Sequence, residues 1–142
     1  MEKLYLETEK EYKEYFIKNY CEKEIYTYSG TNVKFYEDQF EHCFFESKNF
    51  KKRDKSIFSK ERAERIKWIK EVLENEEAEL YVGWDRDKKV YNFNRRVSII
   101  SPENYVVIIN IINEKKSKFI TAYVASQTNA KKIRNNPKWI QN

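Results

Sequence analysis

Hydrophobic positions in the first part of the chain recur at helical spacing. Tyr12, Tyr15, Phe16 and Tyr20 fall on one side of a helix predicted over about 8–21. Thr8-Glu9-Lys10-Glu11 supplies a capping box at its start, each end residue able to bond the other's amide. Gly30 marks a turn, and Val33-Lys34-Phe35 reads as a short extended stretch. A second helix is predicted near 37–46, with Phe40, Phe44 and Phe45 on its apolar side. Residues 46–56 are polar and basic and read as a loop. Ser59 caps a third helix reaching about 74, with Glu61 favourable in its first turn. Its inward stripe is Ala63, Ile66, Ile69, Val72 and Leu73, while Lys60, Arg62, Lys67 and Lys70 point outward.

After Asn75 the period shortens to that of strands. Leu80–Trp84, Val90–Asn94, Val97–Ser101, Tyr105–Ile112 and Phe119–Ala125 are rich in β-branched and aromatic residues. Short turn-prone gaps separate them, which suits antiparallel neighbours, because parallel strands need long crossovers. Val90 to Ser101 reads either as one bent strand or as two. A last short helix is predicted from about Ser126 to Arg134, stopped by Asn135-Asn136-Pro137. The whole, residues 1–142, reads as a single α+β domain with helices first and an antiparallel meander second.

Composition narrows the class. The chain has 142 residues, 40% hydrophobic and 16% aromatic, enough for a core and against global disorder. No apolar run approaches the ~18–20 residues of a membrane span, so no membrane role is expected. The first residues are acidic and lack the apolar centre of a signal peptide. Cys21 and Cys43 are too few for a disulfide scaffold or a cysteine-based zinc site, so a soluble cytoplasmic protein without metal or other cofactor is expected. The net charge of +5 conceals blocks: residues 47–70 carry 10 basic side chains against 3 acidic, and residues 115–138 carry 7 basic and no acidic ones. Brought together by folding, the two blocks form a surface for a polyanion; kept apart, they are ordinary solvated faces.

Alternation along the last strand separates Ile120, Ala122 and Val124, a row suited to packing under helices, from Phe119, Thr121 and Tyr123. Upstream, Tyr91, Phe93 and Arg95 alternate with Asn92, Asn94 and Arg96. A face carrying Tyr, Phe, Thr and Arg can stack bases, bond phosphate oxygens and offset their charge. The same residues are also ordinary strand formers.

The strand Phe119-Ile120-Thr121-Ala122-Tyr123 follows the hydrophobic strand Tyr105-Val106-Val107-Ile108-Ile109. Upstream of both lie Phe40-Glu41-His42-Cys43-Phe44, a basic loop and the helix Arg62-Ala63-Glu64-Arg65-Ile66-Lys67-Trp68-Ile69. This order resembles the phage-associated branch of the barnase/EndoU/colicin/RelE ribonuclease superfold. The resemblance covers roughly residues 33–135 and leaves 1–32 as an N-terminal helical extension. It implies N-terminal helices on a four- to five-stranded antiparallel sheet, and metal-independent RNA cleavage on the exposed sheet face, yielding a 2′,3′-cyclic phosphate. It also implies a bacterial or phage-encoded toxin or effector, with RNA as substrate and an acidic immunity, antitoxin or regulatory protein as a further partner. Within it, His42 and Thr121 match active-site positions.

The residues themselves suit that chemistry in part. His42 is the sole histidine, and an unperturbed imidazole, titrating at about 6.5, suits proton transfer near neutrality. A histidine among phenylalanines is also a common packing residue. One imidazole needs a partner, and either Tyr123 or a lysine such as Lys51 is a candidate. Arg95 or Arg96 can clamp phosphate with paired donors; strict alternation favours Arg95, and a bulge would favour Arg96. The catalytic candidates are thus His42, Thr121, Tyr123 and Arg95, with Lys51, Lys52, Arg53, Tyr91, Arg96 and Phe119 as substrate contacts. A non-catalytic nucleic-acid-binding module and a protein-interaction module are the competing readings.

Overall fold

The computed structural model describes residues 1–47, 57–85, 89–91 and 95–140. Helix α1 (Glu9–Phe16) begins at Thr8, whose hydroxyl accepts from the Glu11 amide while the Glu11 carboxylate accepts from the Thr8 amide. It runs on into a π-helical turn, Ile17–Cys21. Tyr12, Phe16 and Tyr20 are buried, and the Phe16 ring lies 5.9 Å from those of Phe35, Phe40 and Phe44. The first helix is therefore part of the main core.

Two short strands follow, β1 (Ile25–Tyr26) and β2 (Asn32–Lys34), turning at Gly30, whose φ of 94° favours a residue without a Cβ. Helix α2 (Gln39–Phe44) leads into β3 (Phe45–Glu46), which pairs with β4 (Ile57–Phe58). Ser59 caps α3 (Lys60–Ala63) by accepting from the Arg62 amide at 3.2 Å. The expected third helix breaks at Glu64-Arg65 and resumes as α4 (Ile66–Glu74), burying Ile66, Ile69, Val72 and Leu73 as its apolar stripe requires.

The strands β5 (Glu79–Val82), β8 (Arg96–Ile100), β9 (Tyr105–Asn113) and β10 (Lys116–Val124) form an antiparallel series, and β6 (Trp84–Asp85) pairs with β7 (Val90–Tyr91) as a separate hairpin. Val90–Ser101 is thus two strands in two sheets. Helix α5 (Gln127–Arg134) follows, capped by Ser126.

The expected four- to five-stranded antiparallel sheet is instead six-stranded and mixed, in the order β1-β2-β10-β9-β8-β5. Strand β2 runs parallel to β10. The chain passes through three helices and the meander between them, a connection long enough to permit parallel pairing. Strands of two and three residues offer too little alternation to be read as sheet members from sequence.

The sheet has two unlike faces. Val97, Ile99, Tyr105, Val107, Ile109, Phe119 and Ala122 pack in one cluster with apolar side chains from α1, α2, α3 and α4. On the second face, Tyr81, Ile100, Val106 and Ile108 pack against Ala130 and Ile133 of α5. That helix reaches only the half of the face nearest the C-terminal end of β10.

Candidate nucleic-acid interface

The other half of the second face carries a polar row. Lys34 on β2 is paired with Lys118 on β10, Lys118 with Asn110 on β9, and Asn110 with Arg96 on β8. Paired residues project to the same side, and the neighbours Val33, Ser117, Ile109 and Val97 are buried on the helical side. With strands about 4.8 Å apart, four residues span about 14 Å. Among the described residues, neither lysine nor Arg96 has an acidic partner within 4.0 Å. Lys34 and Lys118 sit directly opposite each other, an arrangement that like charge makes unfavourable and a bound anion would relieve. Among the described residues, the buried Oδ1 of Asn110 has no hydrogen-bond partner. Gly83 makes room for the arginine: a Cβ there would lie 2.5 Å from Arg96 Cγ.

A bulge in β10 decides which side chains join this row. Phe119 is paired with Ile109, but Thr121 with Ile108, so Ile120 is an extra residue. Thr121 and Tyr123 share the second face, half-buried, with Ile120 and Tyr123 leaning on the cluster under α5. The Tyr123 hydroxyl donates to Asn129 Oδ1 at 3.2 Å. The expected rows are corrected accordingly. Phe119 faces the helices, fully buried, its ring stacked 4.5 Å from that of Phe35, and so cannot stack a base. Ile120 does not share a row with Ala122.

The lone histidine is placed by α2. The β2–β10 ladder ends at Lys34 and Lys118. Beyond it, the Gln39 side chain stands in for a strand: its Nε2 donates to the Phe119 carbonyl and its Oε1 accepts from the Tyr36 amide at 3.1 Å. One turn on, the Cys43 thiol donates to the Ala122 carbonyl at 3.4 Å. Helix α2 therefore lies along the outer edge of β10. Phe40 and Phe44 point into the aromatic core on the helical side. At about 100° per residue, His42 falls about 60° beyond Gln39, on the flank away from both phenylalanines. That flank borders the second face, and His42 is exposed there.

Arg96, not Arg95, belongs to the row. Arg95 is exposed in the turn before β8, with its carbonyl accepting from the Ile111 amide at 2.6 Å. Strand β8 begins one residue later than Arg95, and its pairing with β9 fixes the facing set as Arg96, Ser98 and Ile100. Lys51, Lys52, Arg53 and the side chain of Tyr91 lie outside the described residues. Lys34, Lys118 and Asn110 were not among the candidates. Alternation within Val33-Lys34 and Ser117-Lys118 carries part of that signal, but the parallel pairing that aligns the two lysines joins residues far apart in sequence.

Elsewhere, a cleft of about 310 Å³ on the helical side is lined by Tyr15, Asn19, Lys23, Lys67, Lys70 and Glu71 among others. Its charges are mixed, and it lies between α1 with its π-turn and α4. Among the described residues, no group of three or more His, Cys, Asp or Glu side chains is placed to hold a metal ion, and no helix is long and apolar enough to cross a membrane. Comparison with family models, curated proteins and solved structures found no match to this chain.

Proposed function

We propose that the protein is a metal-independent endoribonuclease, acting as a toxin or a phage or prophage effector, of the kind its motifs resemble. One observation carries the reading: the row of the second sheet face beyond the α5 cluster bears Lys34, Lys118 and Arg96, Thr121 stands at the border of that cluster, and the sole histidine sits on the bordering flank of α2. These are the groups that cleavage by RNA's own 2′-hydroxyl demands. His42 takes the 2′-hydroxyl proton, and the oxygen attacks the adjacent phosphorus. Arg96 and Lys118 offset the charge that grows on the nonbridging oxygens, and Thr121 donates a hydrogen bond to one of them. The P–O5′ bond breaks, leaving a 2′,3′-cyclic phosphate, and the departing oxygen takes a proton from water. Tyr123, held by Asn129, borders the site as a positioning residue.

End-labelled RNA incubated with the protein in EDTA should yield fragments ending in cyclic phosphate. His42→Ala and Thr121→Val should each slow cleavage by about 10²-fold or more, with circular dichroism unchanged. Salt-sensitive RNA binding without scission would instead favour the non-catalytic module. Undiminished cleavage by both folded variants would remove these residues from the mechanism.

A further inference from the structure

We infer that Tyr36, with Lys118 and Lys34 beside it, forms a stacking subsite for one unpaired base, which makes single-stranded RNA the substrate. The inference rests on the second face being an RNA site. Lys34, Phe35 and Tyr36 alternate as they leave β2. Phe35 is locked into the core against Phe119, so its neighbours turn the other way, onto the second face. Gln39 Oε1 holds the Tyr36 amide, fixing the backbone beneath the ring. Tyr36 is 44% exposed, and the Lys118 ammonium lies over its ring, 5.0 Å from the centroid. A cation at that distance steadies the ring. It also sets positive charge beside the place where a stacked nucleotide would carry its phosphate.

Among the described residues the other exposed tyrosines are Tyr5, Tyr26 and Tyr28, and none of them has a cation over its ring. Tyr26 donates to Glu24 and Tyr28 to Glu76, carboxylates that would repel a phosphate chain. Tyr36 pairs with a lysine instead, and that lysine adjoins a second one with no acidic partner among the described residues. The position also fits the proposed chemistry. Tyr36 and His42 both flank the outer edge of β10, linked through Gln39, so a strand lying along that edge meets the ring before the imidazole. Bases in a duplex are already stacked inside it and cannot reach such a ring, whereas unpaired bases can.

The test uses the full chain and three probes: a single-stranded 2′-O-methyl RNA decamer, its duplex, and an abasic 2′-O-methyl ribose-phosphate chain of equal length. Wild-type protein should bind the single strand tightest. Tyr36→Ala should weaken that binding by about tenfold or more, Tyr36→Phe by less than about twofold, and neither should alter binding of the abasic chain. Thermal melts establish that each variant is folded. If Tyr36→Ala weakens the decamer and the abasic chain equally, or neither, or if the duplex binds as tightly as the single strand, the subsite is refuted. Cleavage of unmodified RNA by the same preparations reads the endoribonuclease proposal separately. Wild-type protein that neither binds nor cuts RNA would overturn both.

Discussion

Phe119 and Thr121 are two residues apart in a strand, yet one is sealed in the core and the other lies on the opposite face. The extra residue between them separates their directions, and the bulge converts an apparently aromatic outer row into a shorter polar one. A buried phenylalanine in contact with Phe16 and Phe35 has no room to be lost cheaply. Phe119→Ala should cost about 3–5 kcal/mol in urea denaturation. A loss below about 1 kcal/mol, as at surface sites, would contradict its burial. At this scale the sequence revealed the chemistry of the residues better than their directions. Strict alternation favoured Arg95 over Arg96, and only the start of β8 reverses the choice.

Among the elements, those with local signals were legible. The Thr8–Glu11 box, the Ser59 and Ser126 caps, and the β-branched runs of β8, β9 and β10 each announce themselves within a few residues. Elements defined by distant partners were not. Strand β1, the sheet pairing of the extended stretch at β2, the β3–β4 pair and the break between α3 and α4 depend on tertiary contacts that no short window contains. The clamp of α2 on β10 is of this second kind, since Gln39 and Phe119 are 80 residues apart. It is also what brings His42 to the rim of the sheet. Gln39→Leu would leave the Tyr36 amide and the Phe119 carbonyl without that partner, at about 1–3 kcal/mol for each group that stays buried. Urea melts should show this loss, and RNA cleavage should fall because the helix carrying the imidazole loosens. Full activity with lowered stability would mean that α2 holds its place without the clamp.

For the whole molecule, burial sets the response to alkali. Desolvation pushes the Cys21 thiol up to about 11, and raises Tyr20 and Tyr105 above their ordinary value. In the unfolded chain the thiol ionises near 8.5 and the tyrosines near 10. Above those values the folded state retains protons that the unfolded state has released, so stability falls as pH rises. The urea midpoint should hold up to about pH 8 and decline through pH 9–11, the window set by the Cys21 shift. Cys21→Ala should flatten the first part of that decline; an unchanged slope would show that the thiol contributes nothing.

The charge blocks also acquire meaning only in the folded molecule. Lys34 comes from an acidic stretch of sequence and Lys118 from a basic one, yet β2 and β10 set them side by side. Lys67 and Lys70, from the other basic block, line the cleft on the helical side instead. Among the described residues, Lys67 and Lys70 thus lie away from the row that holds Lys118. The most direct measurement is a titration of isotope-labelled protein with single-stranded 2′-O-methyl RNA, which cannot attack its own phosphates, followed by amide chemical shifts. Shifts at Lys34, His42, Asn110, Lys118 and Thr121, with Asn19, Lys67 and Lys70 unmoved, are the predicted result. Shifts confined to the helical cleft, or none with RNA in large excess, would contradict the account.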